Sequence, residues 1–188
     1  MQRLLLAALA ALGLTAGAAR AANPVVVVDT SLGSFKVELF EKEAPQTVKN
    51  FLNYVDNKFY DGTLFHRVMP GFMIQGGGMD PNMREKSGNP PIKNEASNGL
   101  SNKRGTIAMA RTDEPNSATA QFYINVADNT FLDKSGDSDG YAVFGKVTEG
   151  MDIVDKIKSV ETTGDRGRPH ANAPVKDVVI KSIRVEKK

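Results

Sequence analysis

The chain has 188 residues, 24 Lys and Arg against 22 Asp and Glu, and no cysteine. No disulfide supports the fold, and a formal charge of +2 lacks the basic excess that non-specific nucleic-acid or anionic-membrane binding requires. Apolar residues make up 40%, enough for one domain to bury a sizeable core unaided.

The first residues differ from the rest. Met1-Gln2-Arg3 is a short positive start, residues 4–14 are apolar, and Ala19-Arg20-Ala21 is a small-x-small site before Ala22. That is the pattern of a secretory signal peptide, and the apolar run is shorter than the roughly 20 residues a membrane span needs. Cleavage removes Arg3 and Arg20, which leaves 22 basic residues against 22 acidic ones and a formally neutral mature protein. The expected division is therefore a signal peptide over 1–21 and one domain over 22–188, periplasmic, with no membrane attachment after cleavage.

Residues 24–29 form a β-branched run and 35–40 alternate in polarity, so the link through Thr30, Ser31, Leu32 and Gly33 reads as a hairpin. Pro45 opens a helix, where its missing N–H costs nothing. Val48, Phe51, Leu52 and Val55 then recur at i, i+3, i+4 and i+7, a stripe ending near Asn57. Short strands are expected at 64–68 and 72–76. Residues 77–104 are polar, rich in Gly, Pro and Asn, and aperiodic, so they read as a long loop of the kind that often carries function. Strands resume at 105–111, 121–126 and 141–147. A second helix over 151–159 carries Ile153, Val154 and Ile157. After a loop at 161–174 comes a last strand over 178–185. Eight short strands and two helices, with connections too short for parallel crossovers, predict an antiparallel sheet. Closed into an eight-stranded barrel it loses its edges, with the helices capping the ends; a two-sheet sandwich is the alternative. Nothing in the sequence indicates a partner subunit, so a monomer is expected.

Several chemistries lack their residues. His66 and His170 are the only histidines, which with no cysteine makes a zinc site unsupported. Asp133-x-Ser135-x-Asp137-x-Asp139 resembles a calcium loop, but Ser138 stands where that loop needs Gly and Phe144 where it needs Glu. Gly76-Gly77-Gly78 lacks both phosphate-binding spacings, and no serine lies in a GxSxG elbow. No cofactor and no metal is expected.

What remains is FHRVMPGFMIQGG, residues 65–77. Period-2 alternation puts Phe65, Arg67 and Met69 on one face, and a turn through Pro70-Gly71 brings 72–76 back beside them. Arg67, Met73 and Gln75 then share a surface with Phe72, Phe122, Tyr123, Phe131 and Leu132, a cation and an amide in an apolar wall. Ordinary core packing with one surface arginine is the plainer reading of the same residues.

FHRVMPGFMIQGG, GTIAMAR (105–111), ATAQFYINVADNTFLD (118–133) and YAVFGKV (141–147) closely resemble the cyclophilin family of peptidyl-prolyl cis-trans isomerases, most of all its exported bacterial branch. The resemblance runs from about Val25 to the C-terminus in the same order and spacing. It implies an eight-stranded barrel capped by two helices and rotation of X–Pro peptide bonds in unfolded exported proteins. A proline-peptide holdase without catalysis is the alternative. Carried over by position, the resemblance makes Arg67 the catalytic residue and Gln75 a substrate-binding amide. Phe72, Met73, Tyr123 and Leu132 become the proline pocket, Ala110 and Arg111 the segment whose backbone pairs with substrate, and Gln121 a second polar contact. Tyr141 stands where animal relatives have histidine, Phe131 where many have tryptophan, and Tyr123 replaces the more usual phenylalanine. The tryptophan position matters for cyclosporin in the family, so weak inhibition is expected. Residues 79–98 and Lys103–Arg104 do not align, and the resemblance implies nothing for them.

Overall fold

The computed structural model describes residues 22–164 and 171–187, so the expected signal peptide and His170 lie outside the described residues. Four consecutive valines open β1 (Val25–Thr30), which pairs antiparallel with β2 (Gly33–Leu39) through a two-residue turn. The Thr30 hydroxyl donates to the Gly33 carbonyl at 2.6 Å and accepts from the Leu32 N–H at 3.1 Å, closing the turn locally.

Helix α1 (Pro45–Asp56) follows as the sequence predicts, with Val48, Phe51 and Val55 buried. Its start is capped from far along the chain. The Glu95 carboxylate accepts from the Gln46 and Thr47 backbone N–H groups at 3.1 and 2.8 Å, where the helix dipole favours negative charge. The long loop is thus fastened to the helix. It also contains a short 3-10 turn at Ala96–Asn98 and a bridge between Met79 and Glu85.

The remaining elements are β3 (Thr63–Leu64), β4 (Arg67–Met69), β5 (Met73–Gly76), β6 (Thr106–Met109), β7 (Phe122–Asn125), β8 (Val143–Glu149), α2 (Met151–Lys158) and β9 (Val179–Val185). They form one antiparallel sheet in the order β3-β9-β1-β2-β8-β6-β7-β5-β4. The expected closed eight-stranded barrel is corrected to a curled nine-stranded sheet. The run expected as one strand over 64–68 breaks at Phe65 and His66: its first piece, β3, pairs with β9, and its second, β4, pairs with β5. No ladder joins β3 to β4 among the described residues. The sheet's two ends are linked by the chain itself and by the Leu64 carbonyl accepting from the Gly77 N–H at 3.3 Å.

The break also reverses the alternation. Phe65 does not share a face with Arg67; it is fully buried in the main core, as is Phe122. That core gathers Val26, Phe35, Val37, Phe51, Ile74 and Phe144 with Val154 and Ile157 from α2. Gly77, at φ +84°, leaves the space that the Phe122 and Tyr60 rings fill; a Cβ there meets Phe122 at 2.7 Å. On the outer face lies a second, smaller apolar cluster of Met73, Ala108, Tyr123 and Val143, roofed by Phe72, Leu132 and Tyr141. β6 and β7 are therefore covered on both faces, and all four residues of β7 are buried.

Candidate active site

The outer cluster opens as a cavity of about 290 Å³ lined by Arg67, Phe72, Met73, Gln75, Ala110, Arg111, Tyr123, Leu132 and Tyr141. Strand register assembles it. Arg67 stands opposite Gln75 across β4 and β5, and Gln75 opposite Tyr123 across β5 and β7. Cross-strand partners on one face are close neighbours, so these three side chains form a row. Met73 shares that face of β5 two residues earlier, while Ile74 between them faces the main core.

Arg67 is half-buried, and its guanidinium has no hydrogen bond or ion pair with any described residue. It is a permanently charged, forked donor held at the mouth of an apolar slot. Arg111 differs. Its guanidinium donates to the carbonyls of Thr112 at 2.7 Å and Gly140 at 3.1 Å and lies 4.4 Å from the centroid of the Tyr141 ring. Those contacts occupy the Arg111 fork, tying two loops at the rim. The Ala110 N–H is paired with the Gln121 carbonyl at 3.0 Å.

Two expected contacts lie outside the cavity. Phe131 is 69% exposed and stacks on Phe72 with centroids 5.8 Å apart, extending the apolar wall outward. Gln121 instead lines a neighbouring cleft with Glu85, Thr119 and Ser117, where it accepts from Gln75 Nε2 at 2.9 Å.

Beneath the floor runs a polar network that sequence reasoning missed. The Tyr123 hydroxyl donates to Asn102 Oδ1 at 2.7 Å, and Asn125 Nδ2 reaches the same oxygen at 3.2 Å. Asn129 Nδ2 donates to Asn125 Oδ1 at 2.7 Å and to the Phe72 carbonyl at 2.8 Å. Asp133 accepts from the Asn102 N–H at 2.7 Å, from Asn102 Nδ2 at 2.9 Å and from the Ser101 hydroxyl. Burial pushes the Tyr123 phenol well above the usual tyrosine range, with Tyr141 and Asp133 adding to the rise and Arg111 opposing it. Tyr123 is thus a neutral donor. The asparagines lie in aperiodic or continuously apolar stretches, so no pattern marks them; the Asn-rich composition of 94–102 and 125–129 was the only signal.

The family model described as cyclophilin type peptidyl-prolyl cis-trans isomerase/CLD matches residues 25–185. The chain belongs to the cyclophilin family. A peptidyl-prolyl cis-trans isomerase of Acinetobacter baylyi is 55% identical to this cyclophilin over 174 residues, 93% of this chain and 92% of that protein. Peptidyl-prolyl cis-trans isomerase B of Escherichia coli is 54% identical over 86% of this chain and 99% of its own. A solved cyclophilin-type isomerase of Cryptosporidium parvum superposes with a TM-score of 0.76 at 27% identity, covering 88% of this chain and 99% of that one. A structure of that protein in the presence of the dipeptide Ala-Pro gives a TM-score of 0.75 at 28% identity, covering 87% and 99%. This cyclophilin is accordingly an enzyme, a peptidyl-prolyl cis-trans isomerase. None of its described helices is long and apolar enough to cross a membrane.

Proposed function

We propose that the cavity between Phe72, Met73, Tyr123 and Leu132 receives the substrate proline and that Arg67 is the catalytic residue. The observation that carries this is the Arg67 guanidinium, unpaired among the described residues at the edge of that slot. Twisting an X–Pro bond costs about 18–20 kcal/mol because amide resonance is lost. No bond breaks, so the reaction calls for neither nucleophile nor metal. In the twisted imide the proline nitrogen regains its lone pair and becomes an acceptor, which the planar bond lacks. A donor aimed there stabilises the transition state selectively and so raises kcat. The apolar walls hold the ring, while Gln75 and the backbone near Ala110 hold the flanking peptide as the bond turns.

The test is isomerisation of a prolyl peptide by substoichiometric protein. Arg67→Ala is expected to lower kcat/KM by about a hundredfold, the scale of removing one transition-state donor, with an unchanged unfolding transition. A wild-type rate in that variant removes Arg67 from the mechanism. Acceleration requiring stoichiometric protein favours the holdase.

The same reading places the enzyme in the periplasm, acting on unfolded exported proteins as a monomer. The support for export is the charged start, apolar run and small-x-small site of residues 1–21; the monomer is the default expectation. N-terminal sequencing of exported material is expected to begin at Ala22; a retained Met1 there overturns the cleavage.

A further inference from the structure

Gln75 is one link in a chain of three polar side chains. Its Nε2 donates to Gln121 Oε1 at 2.9 Å, and Gln121 Nε2 donates to Glu85 Oε1 at 3.0 Å. We propose that Glu85 is a positioning residue that fixes the direction of this chain, so that Gln75 turns its carbonyl oxygen, and not its amide nitrogen, toward the Arg67 side of the cavity. The inference rests on the reading of Gln75 as a substrate contact.

An amide presents a donor at one end and an acceptor at the other, and two amides in series have two self-consistent directions. An ionised carboxylate only accepts. With Glu85 at the end, Gln121 must offer its NH2 group outward and its oxygen to Gln75. Gln75 must then offer an N–H to Gln121, which leaves Oε1 as the end pointing away. Sheet order says where that is. β5 lies between β4 and β7, so Gln121, next to the start of β7, flanks Gln75 on one side and Arg67 on the other.

Each link is held from outside. Glu85 ends a tight turn that bridges back to Met79, and the Asp80 carboxylate accepts from the Asn82 and Arg84 N–H groups inside it at 2.8 and 2.9 Å. The Arg84 N–H above all, with Asn82 adding to it, holds the Asp80 carboxyl below the usual aspartate range, while desolvation opposes the shift. The Gln121 side chain packs over Gly78, where a Cβ would meet its Cγ at 2.3 Å and its Nε2 at 2.9 Å, so a larger residue there displaces the amide. The turn that the family resemblance leaves without a role thus reaches the site through one carboxylate.

Glu85→Lys replaces an obligate acceptor with an obligate donor, which reverses the favoured direction and turns the Gln75 amide toward the Arg67 guanidinium. The expected loss is roughly five-fold in kcat/KM on an uncharged prolyl peptide, the scale of one hydrogen bond. Glu85→Lys combined with Gln121→Glu puts an acceptor between two donors, restores the direction of Gln75, and is expected to recover most of that loss. Side-chain NMR reads the direction without activity: in the wild type the Gln75 amide protons are expected to show NOEs to the Gln121 side chain, and in Glu85→Lys to the Arg67 side chain. An unchanged rate in Glu85→Lys, a double variant no better than the single one, or wild-type NOEs from Gln75 to Arg67 each overturn the proposal. A wild type with no isomerase activity overturns the function of the cavity instead, and the NOEs still decide the direction.

Discussion

Arg67 and Gln75 face each other because the two strands that carry them turn back through Pro70 and Gly71, and that much was legible. Period-2 alternation on β5 separates Met73 and Gln75 from Ile74 without any knowledge of the fold. The same rule misplaced Phe65, because it assumes an unbroken strand, and β3 and β4 are two pieces. It offered no way to separate Phe122 from Tyr123, since both faces of β7 are covered and both residues are buried. At this scale the fork of the guanidinium matters as much as its charge. Arg67→Lys keeps the cation but loses the planar pair of donors, so its kcat/KM is expected to lie much nearer Arg67→Ala than wild type. Stopped-flow assays of the three proteins side by side check this, and a lysine variant within about twofold of wild type reduces the requirement to charge alone. Tyr123→Phe is the complementary case. The ring that walls the slot stays, while the buried hydroxyl that donates to Asn102 goes. Asn102 Oδ1 keeps its contact with Asn125. The cost is expected to fall on stability, about 1 kcal/mol by urea denaturation, with kcat/KM nearly unchanged.

At the scale of elements, the loops around the cavity are tied to one another by hydrogen bonds. The segment at Ser101–Asn102 is joined to the turn at Asp133 through one carboxylate, and the Asn129 amide holds the Phe72 carbonyl. No periodicity marks such a structure, which is why the polar stretch 77–104 read only as a loop. The segment at 133–139, which lacks the residues of a calcium loop and reads as a turn, lends Asp133 to this clasp. Burial raises the Asp133 carboxyl, but the donors Ser101 and Asn102 outweigh it and hold the group below its ordinary value of 3.8. A depressed folded pKa means that stabilisation is complete above the unfolded value and is lost as pH falls through the folded one. Asp133→Asn is therefore expected to be less stable than wild type at neutral pH, with the gap narrowing as pH drops below 3.8. Chemical denaturation across that range checks the sign; a gap that widens on acidification refutes the assignment of Asp133 as an ionised clasp.

For the whole molecule, the last strand closes what the first elements begin. β9 lies between β1 and β3, pairing Val26 with Val185 on one side and Thr63 with Ile180 on the other. The N–H groups of Ser31, Gly62 and Phe65 all donate to carbonyls of residues 178–180. The antiparallel pairing of neighbouring elements was legible from connection lengths. This closure was not, because it joins residues at opposite ends of the sequence and the local pattern of 178–185 is the same whichever neighbours it takes. Deleting residues 179–188 removes Ile180 and Ile183 from the core, about 1.5–3 kcal/mol each, and leaves two strand edges unpaired beside it. Against a total stability of about 5–15 kcal/mol, that loss is enough to unfold the domain. The truncated chain is expected to show no cooperative thermal transition and no isomerase activity, although every residue lining the cavity is still present. Ile183→Ala, which keeps the ladder and loses only packing, is expected to unfold cooperatively at about 2–5 kcal/mol lower stability with its activity intact. A truncated chain that melts cooperatively near the wild-type temperature makes β9 an accessory to a sheet that stands without it.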